Sequence, residues 1–215
     1  MKSALVIGLG RLGRHMSQKL FDLGHQVLAI DEDERKIQEA LNYVTNGQIG
    51  DATDPALIDT LGVQDFDLCV VTFGHDLQAS LEVTSLLKEA GAPFVLTRAS
   101  RDTHAKFLLA CGADDIIYPE KQMAAWSAVR YSSEHIFDYI RISDSYAIYE
   151  TDIPENWYGK TVVDLAVRQR YGLNILAVKQ GEEVLPMPGA AHVFAAGEKI
   201  LVLGSEKSVQ KFLKF

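Results

Sequence analysis

The chain has 215 residues, of which 47% are apolar and 23% charged, and its formal net charge is −8. This composition is typical of a folded globular protein and excludes fibrous repeats and intrinsically disordered chains. Acidic residues outnumber basic ones, 29 to 21, and the basic residues form no cluster, so we expect no nucleic-acid partner. No apolar stretch approaches the roughly 20 residues of a membrane span, which predicts a soluble protein.

The two cysteines indicate a reducing compartment. Cys69 and Cys111 lie in apolar stretches, without CxxC spacing and without a histidine at ligand distance. Buried thiols are therefore expected, rather than a disulfide or a sulfur-ligated metal. This favours a cytoplasmic location.

Apolar runs and amphipathic segments alternate through the first half of the chain. Strands are predicted over residues 4–7, 26–30, 48–50, 68–72, 94–98 and 115–118, and helices over residues 15–23, 34–43, 55–61, 77–90 and 103–110. Parallel strands need a crossover connection, so this alternation predicts an α/β fold: a doubly wound parallel sheet with helices on both faces.

The remainder of the chain has a different pattern. A helix is predicted over residues 122–136, then short strands over 140–142, 147–151, 174–178, 183–185 and 199–203, with helices over 162–170 and 206–213. This tail predicts a small α+β unit, and the long helix is the expected connector. The predicted domains are therefore 1–137 and 138–215.

A glycine motif marks the first turn of the predicted sheet. Gly8-x-Gly10-x-x-Gly13 follows a strand and opens a helix, and Asp31 ends the next strand, which together form a dinucleotide-binding fingerprint. Gly8 suits the tight turn, Gly10 lets backbone N–H groups reach a phosphate, and Gly13 lets helix and strand pack closely. Asp31 is expected to accept hydrogen bonds from the ribose hydroxyls. It would repel a 2′-phosphate, which disfavours NADP. The alternative is a doubly wound domain with an empty crevice.

Other polar residues follow the later strands, at the edge where ligands of such sheets bind. Asp51 could meet an adenine amino group, although a helix cap before Pro55 explains Asp51 or Thr53 equally well. The segment from Thr72 through Phe73 to Gly74 is expected to lie over the nucleotide.

Three charged residues suggest contacts with terminal phosphates. Arg11 can pair with a β- or γ-phosphate in a bidentate manner, the alternative being a solvated arginine at a helix start. Arg98 is a second candidate cation. Glu120 would be tolerated near phosphates only if it binds a cation or orients an arginine.

No catalytic motif is found. The histidines are scattered, no Ser-His-Asp order, HExxH or SxxK motif occurs, and His104 is expected on a helix surface. Binding without chemistry is therefore the expected function. A small NAD-dependent oxidoreductase, an NAD(H)-binding redox sensor and a nucleotide-binding interaction module stay open as alternatives.

Taken in order, the motifs resemble the RCK (KTN) family, the cytoplasmic regulatory subunits of Ktr and Trk potassium uptake systems. The resemblance covers nearly the whole chain. It rests on the glycine motif with Arg11, on Asp31, on the segments 50–53, 112–114 and 116–120, and on the C-terminal segments 163–165 and 171–178.

The resemblance implies a homo-oligomer assembled as an octameric ring. Such a ring docks on an integral membrane potassium-translocating subunit of the KtrB/TrkH type, at the inner face of the membrane. It binds ATP or ADP, or NAD(H) in some members, and gates potassium flux by changing shape. Arg11 and Glu120 favour ATP/ADP over NAD, with Mg²⁺ or Na⁺ beside Glu120.

The resemblance and the strand-end residues together give the predicted site. The predicted cofactor-binding residues are Gly8, Gly10, Arg11, Leu12, Gly13, Asp31, Glu32, Asp51, Ala52, Thr72, Phe73, Gly74, Arg98 and Glu120. Cyclic di-AMP, which several relatives bind at a dimer interface, would contact Val163, Arg168, Asn174, Ile175, Ala177 and Pro188. The alternative for residues 162–170 is an amphipathic helix that buries Val163, Leu165 and Val167.

Overall fold

The computed structural model describes residues 1–214 and contains two compact units. The first unit comprises Met1–Lys121 and the second begins at Gln122. Among the described residues, no helix is long and apolar enough to cross a membrane.

The first unit is a parallel sheet of 6 strands in the order β3-β2-β1-β4-β5-β6. The strands are β1 (Ser3–Ile7), β2 (Gln26–Asp31), β3 (Asn46–Ile49), β4 (Leu68–Val71), β5 (Val95–Arg98) and β6 (Asp115–Ile117). The helices are α1 (Arg11–Asp22), α2 (Glu34–Ala40), α3 (Pro55–Thr60), α4 (Leu77–Glu89) and α5 (Asp102–Ala110). This is the Rossmann-like fold predicted from the alternation.

Both faces of this sheet are buried. Leu5 and Ile7 of β1 pack in one cluster with residues of α3 and α4, whereas Val6 packs in another with Ile37 of α2. Successive strand residues point to opposite faces, so the near-continuous apolar run of β1 is what a strand covered on both faces requires. Strand order reverses at β1, which places the ligand crevice at the carboxyl ends of β1 and β4.

The second unit is an antiparallel sheet of 5 strands in the order β10-β9-β11-β8-β7. The strands are β7 (Ile136–Arg141), β8 (Ala147–Asp152), β9 (Asn174–Gln180), β10 (Glu183–Pro186) and β11 (Glu198–Gly204). The helices are α6 (Pro119–Tyr131), which begins in the first unit, α7 (Val162–Leu165), α8 (Val167–Tyr171) and α9 (Glu206–Phe212). Trp157 is the centre of its aromatic core, with ring centroids 5.3 Å from both Phe194 and Phe212.

The connecting helix differs from the prediction. Helix α6 ends at Tyr131. Residues 132–135, predicted as part of the helix, form a bend and a turn, and Ile136 is the first residue of β7. Trp126 donates a hydrogen bond of 3.0 Å to Asp138, and Arg130 donates one to the carbonyl of Ile136. These bonds join the rear of α6 to the second sheet, so the compact units divide within α6, earlier than the boundary expected at residue 137. The predicted division into functional domains, 1–137 and 138–215, stays a prediction.

The predicted helix over residues 162–170 is also interrupted. Ala166 has a left-handed backbone with φ +46°, which separates α7 from α8. Leu165 and Val167 are buried as the amphipathic alternative required, but Val163 is 64% exposed, so the alternative is wrong at that residue.

The expectation that His104 lies on a helix surface is wrong. Only 2% of it is exposed, and its Nε2 lies 2.8 Å from Oγ of Ser80 on α4. Burial, with a contribution from the charge of Arg101, lowers the pKa of His104. Helix α5 packs on α4 through His104 and leaves Phe107 exposed. The face of α5 that carries His104 is therefore buried rather than exposed.

Cys69 is buried in β4, and this burial raises the pKa of its thiol to about 12. Cys111 is half-buried, and both cysteines are free.

Candidate nucleotide-binding site

The turn between β1 and α1 is fixed by close backbone packing. Gly8 has φ +90°, and its N–H donates to the carbonyl of Ile30, 2.8 Å away. A Cβ at Gly13 would overlap the carbonyl oxygen of Gly8. Thr72, just after β4, donates through Oγ1 to that same oxygen at 2.7 Å. The turn is therefore held from β2, from β4 and from α1.

Gly10 lies at the open end of the turn. It is the N-cap of α1, it is exposed, and a Cβ there would meet no atom within 4 Å among the described residues. No side chain caps this helix, and its first turn contains no acidic residue. The first N–H groups of a helix lack intrahelical partners and carry partial positive charge. The space and the donors thus fit a phosphate group.

Asp31 ends β2 beside this turn and is only 7% exposed. Its Oδ2 accepts a hydrogen bond of 2.7 Å from the N–H of Leu9, and its Oδ1 accepts one of 2.9 Å from the N–H of Asp33. Lys36 of α2 bonds both carboxylate oxygens, at 2.9 and 3.0 Å. Glu32, the next residue, is exposed, and Leu12 on α1 is half-buried.

Asp51 does not cap the following helix. Its Oδ1 accepts hydrogen bonds from the N–H of Thr53 at 2.9 Å and from the hydroxyl of Thr53 at 2.7 Å. These bonds, the backbone one foremost, lower the pKa of Asp51. The cap of α3 is Asp54, so the cap interpretation of Asp51 or Thr53 is wrong. Asp51 is exposed, whereas Ala52 is buried in the sheet core and would meet a ligand only through its backbone.

Arg98, at the end of β5, forms an ion pair with Glu120 in the first turn of α6. Its Nη2 lies 2.5 Å from Oε1 of Glu120, and its side chain is 14% exposed. The guanidinium lies against Gly74, where a Cβ would overlap it, and its Nε is buried without a hydrogen-bond partner among the described residues. Phe73, half-buried, lies beside the glycine turn, because a Cβ at Gly8 would come 3.0 Å from its ring.

Arg11 belongs to the same group of charges. It is the first residue of α1 and is exposed, and its side chain makes no hydrogen bond to the described residues. The pKa of Glu120 is lowered by its own backbone N–H, by the hydrogen bond from Arg98 and by the charges of Arg98 and Arg11. We call Arg11, Arg98 and Glu120 the charged cluster. Within residues 1–214, no group of three or more His, Cys, Asp or Glu side chains is placed to hold a metal ion.

The second unit contains a cavity of about 330 Å³ between α7, α8 and β9. The predicted residues Val163, Arg168, Asn174, Ile175 and Pro188 all line it. Ala177 is buried nearby in β9 and does not line the cavity.

Sequence reasoning missed Lys36 and the backbone N–H groups of Leu9 and Asp33 as partners of Asp31. A basic residue in the first turn after an acidic strand end was the available signal for Lys36. It is a weak one, because lysines are common on exposed helix surfaces.

Residues 4–119 match the TrkA-N domain family and residues 147–215 match the TrkA-C domain family. The chain belongs to the TrkA family of potassium uptake proteins. This confirms the resemblance inferred from the motifs.

Two Ktr proteins match this TrkA-family chain over almost their full length. It is 36% identical to the Ktr system potassium uptake protein C of Bacillus subtilis, over 99% of this chain and 96% of that protein. It is 35% identical to the Ktr system potassium uptake protein A of the same organism, over 98% of this chain and 95% of that protein. The chain is thus homologous to the Ktr potassium uptake proteins.

A solved structure of a channel shows the same fold. The GsuK channel bound to NAD has a TM-score of 0.71 with this chain at 15% identity, and the match covers 100% of this chain. The chain spans only 40% of that channel's length.

Proposed function

We propose that this TrkA-family chain is a cytoplasmic regulatory subunit that binds ATP or ADP in the crevice of its first unit. It acts on an integral membrane potassium-translocating subunit of the KtrB/TrkH type. The proposal depends above all on one observation: the open N-terminus of α1 at Gly10 stands beside the charged cluster, which pairs Arg98 with Glu120 and leaves Arg11 unbonded.

The charged cluster suits a third phosphate, which ATP carries and which ADP and a dinucleotide lack. A pyrophosphate is satisfied by the helix N-terminus alone. A further terminal phosphate would bring negative charge towards Arg11 and Arg98, which can bind it in a bidentate manner. For NAD(H) these two cations have no evident use. Because the sequence contains no catalytic acid–base motif, we infer a binding protein rather than an oxidoreductase.

Glu120 fits a cation only together with a nucleotide. One carboxylate offers too few ligands for Mg²⁺ or Na⁺, and no further acidic or histidine cluster surrounds it in the described chain. Phosphate oxygens would supply the missing ligands, as is usual for Mg²⁺. Glu120 would then exchange its bond with Arg98 for the cation, and Arg98 would turn to the phosphate.

The second unit is proposed to bind cyclic di-AMP. Its cavity brings a cation, Arg168, together with the amide of Asn174 and the apolar side chains of Val163 and Ile175. Cyclic di-AMP contains phosphodiester groups and adenine rings, so it needs polar contacts as well as apolar ones. Because the ligand is expected at a dimer interface, one chain would supply half of the site.

Regulation then follows from assembly. In an octameric ring, a ligand changes the ring's shape only if it binds two shapes with different affinity. A terminal phosphate held by Arg11 supplies such a difference between ATP and ADP. Docking of the ring on the cytoplasmic face of the translocating subunit would convert the change of shape into a change of potassium flux.

The charged cluster is tested with the variant Arg11→Ala. We expect its ADP affinity to stay within about twofold of the wild-type value, and its preference for ATP over ADP to fall about tenfold, equivalent to about 1.4 kcal/mol. Calorimetric titration of each nucleotide measures both. Arg14→Ala is the matched control, because Arg14 is an exposed arginine of the same helix outside the charged cluster.

Equal loss of ADP and ATP affinity in Arg11→Ala would contradict the role given to Arg11. Thermal unfolding of the wild-type protein with ATP, ADP, NADH and NADPH tests the wider proposal, because a ligand of the folded state raises its stability. Stabilisation by NADH alone, or turnover of NADH, would favour the redox alternatives. Co-purification with the translocating subunit tests the partner.

A further inference from the structure

The carboxylate of Asp31 has no free acceptor site. A carboxylate offers about four lone-pair directions. Two of them are filled by the N–H groups of Leu9 and Asp33, and the other two by the ammonium group of Lys36, at 2.9 and 3.0 Å. The side chain of Asp31 is 6% exposed, so little water competes for it. A nucleotide ribose cannot donate to Asp31 unless one of these donors leaves.

Lys36 is the donor that can leave. The N–H of Leu9 belongs to the turn between β1 and α1. The N–H of Asp33 lies at the start of α2, where the Asp33 side chain caps the helix. Neither can move without rearranging the backbone. The ammonium of Lys36, in contrast, sits on a flexible stem whose side chain is 42% exposed. Rotation of this stem returns the charge to water, where an ammonium group is strongly hydrated.

We propose that Lys36 competes with the ribose of a nucleotide for the carboxylate of Asp31, and that its ammonium group is exchanged for the ribose hydroxyls when a nucleotide binds. This rests on the proposed function. The two backbone donors keep Asp31 oriented throughout, and Lys36 acts as a competitor that weakens ribose recognition. Each ribose hydroxyl therefore contributes less to affinity in the wild-type protein than it would beside an unpaired carboxylate.

The competition is measured by comparing ADP with 2′,3′-dideoxy-ADP, which lacks both hydroxyls. Calorimetry gives the affinity ratio of the two nucleotides for the wild type and for Lys36→Met. We expect the ratio in favour of ADP to rise about fivefold in the variant, equivalent to about 1 kcal/mol, since hydrogen bonds to charged groups exceed neutral ones in strength. Loss of the cation weakens both nucleotides alike and cancels in the ratio.

Arg35→Met is the matched control. It removes an equal charge from the neighbouring position, but Arg35 is 88% exposed and pairs with Asp33 rather than Asp31. In this variant, the ratio of the affinity for ADP to that for 2′,3′-dideoxy-ADP is expected to equal the wild-type ratio. Lys36→Gln, which keeps a polar side chain of similar length, gives a second measurement and is expected to raise the ratio as well.

An unchanged ratio in both Lys36 variants, with ADP bound normally by the wild type, would overturn this inference alone. A ratio that rises equally in Arg35→Met would also overturn it, because the effect would then be general electrostatics. Absence of ADP binding to the wild-type protein would overturn the proposed function and this inference together.

Discussion

The two sides of the crevice in the first unit are built differently. On one side, the glycine turn is held by backbone atoms in contact with each other and by the buried hydroxyl of Thr72. On the other, the charged cluster consists of long side chains, of which Arg11 and Glu120 are exposed. What every nucleotide shares, a phosphate at the helix start, would be recognised by the rigid side. Discrimination between nucleotides would be left to side chains that can change without harming the fold.

The largest effect is expected on the rigid side. Gly13→Ala places a Cβ in the carbonyl oxygen of Gly8, and because backbone must then move, we expect a loss of about 3 kcal/mol in the free energy of unfolding. Gly10→Ala is the control, since its Cβ has open space and its φ of −66° suits alanine. Urea denaturation of both variants measures the difference.

Gly10→Ala is expected to keep wild-type stability or to gain up to about 1 kcal/mol, while losing affinity for ADP. Equal stability of the two glycine variants would contradict the description of the rigid side. Unchanged ADP affinity in Gly10→Ala would contradict the proposal that this turn binds a phosphate.

A smaller effect is expected from Thr72→Val. The exchange keeps the shape of the side chain but removes the hydroxyl, leaving the buried carbonyl oxygen of Gly8 without that donor. We expect a loss of about 1 to 2 kcal/mol in the free energy of unfolding. Thr72→Ser retains the hydroxyl donor and is expected to keep most of the wild-type free energy of unfolding. If valine and serine are equivalent by chemical denaturation, Thr72 does not clamp the turn.

The smallest effect is expected from Glu120→Gln in the charged cluster. The pair with Arg98 is 59% exposed on the glutamate side, so its loss should cost less than about 1 kcal/mol at neutral pH. Because the pKa of Glu120 is lowered in the folded state, its contribution is present above the ordinary glutamate value and is lost as the pH falls through the lowered value.

The stability difference between wild type and Glu120→Gln should therefore shrink as the pH falls below about 4. Denaturation curves at several pH values measure it. A difference that grows on acidification would mean that Glu120 is not held in its charged form by its neighbours.

Much of the first unit was predictable because its signals are local. Apolar runs separated by amphipathic segments predict parallel strands and crossovers, and the glycine spacing predicts a turn that only small residues can form. The second unit was less predictable. Residues 136–141 pair with β8, and this pairing overrides the helical periodicity of the preceding segment. The left-handed backbone of Ala166, a residue that favours helices, has no local signal either.

The site shows the same limit. The positions of Gly8, Gly10, Gly13 and Asp31 followed from spacing, because covalent geometry fixes what a strand-turn-helix can present. The partners did not follow: Lys36 on Asp31, Asp54 as the cap of α3, and Ser80 beside a buried His104.

The sequence by itself determined the order of the strands and helices in the first unit, the family and the glycine turn, since each depends on neighbours along the chain or on motifs in a fixed order. The tertiary structure alone decided which charges pair. Arg98 and Glu120, like Thr72 and Gly8, lie far apart in sequence and meet only because parallel strands end at a common edge. Their contacts depend on distances between elements, which the order of residues does not specify.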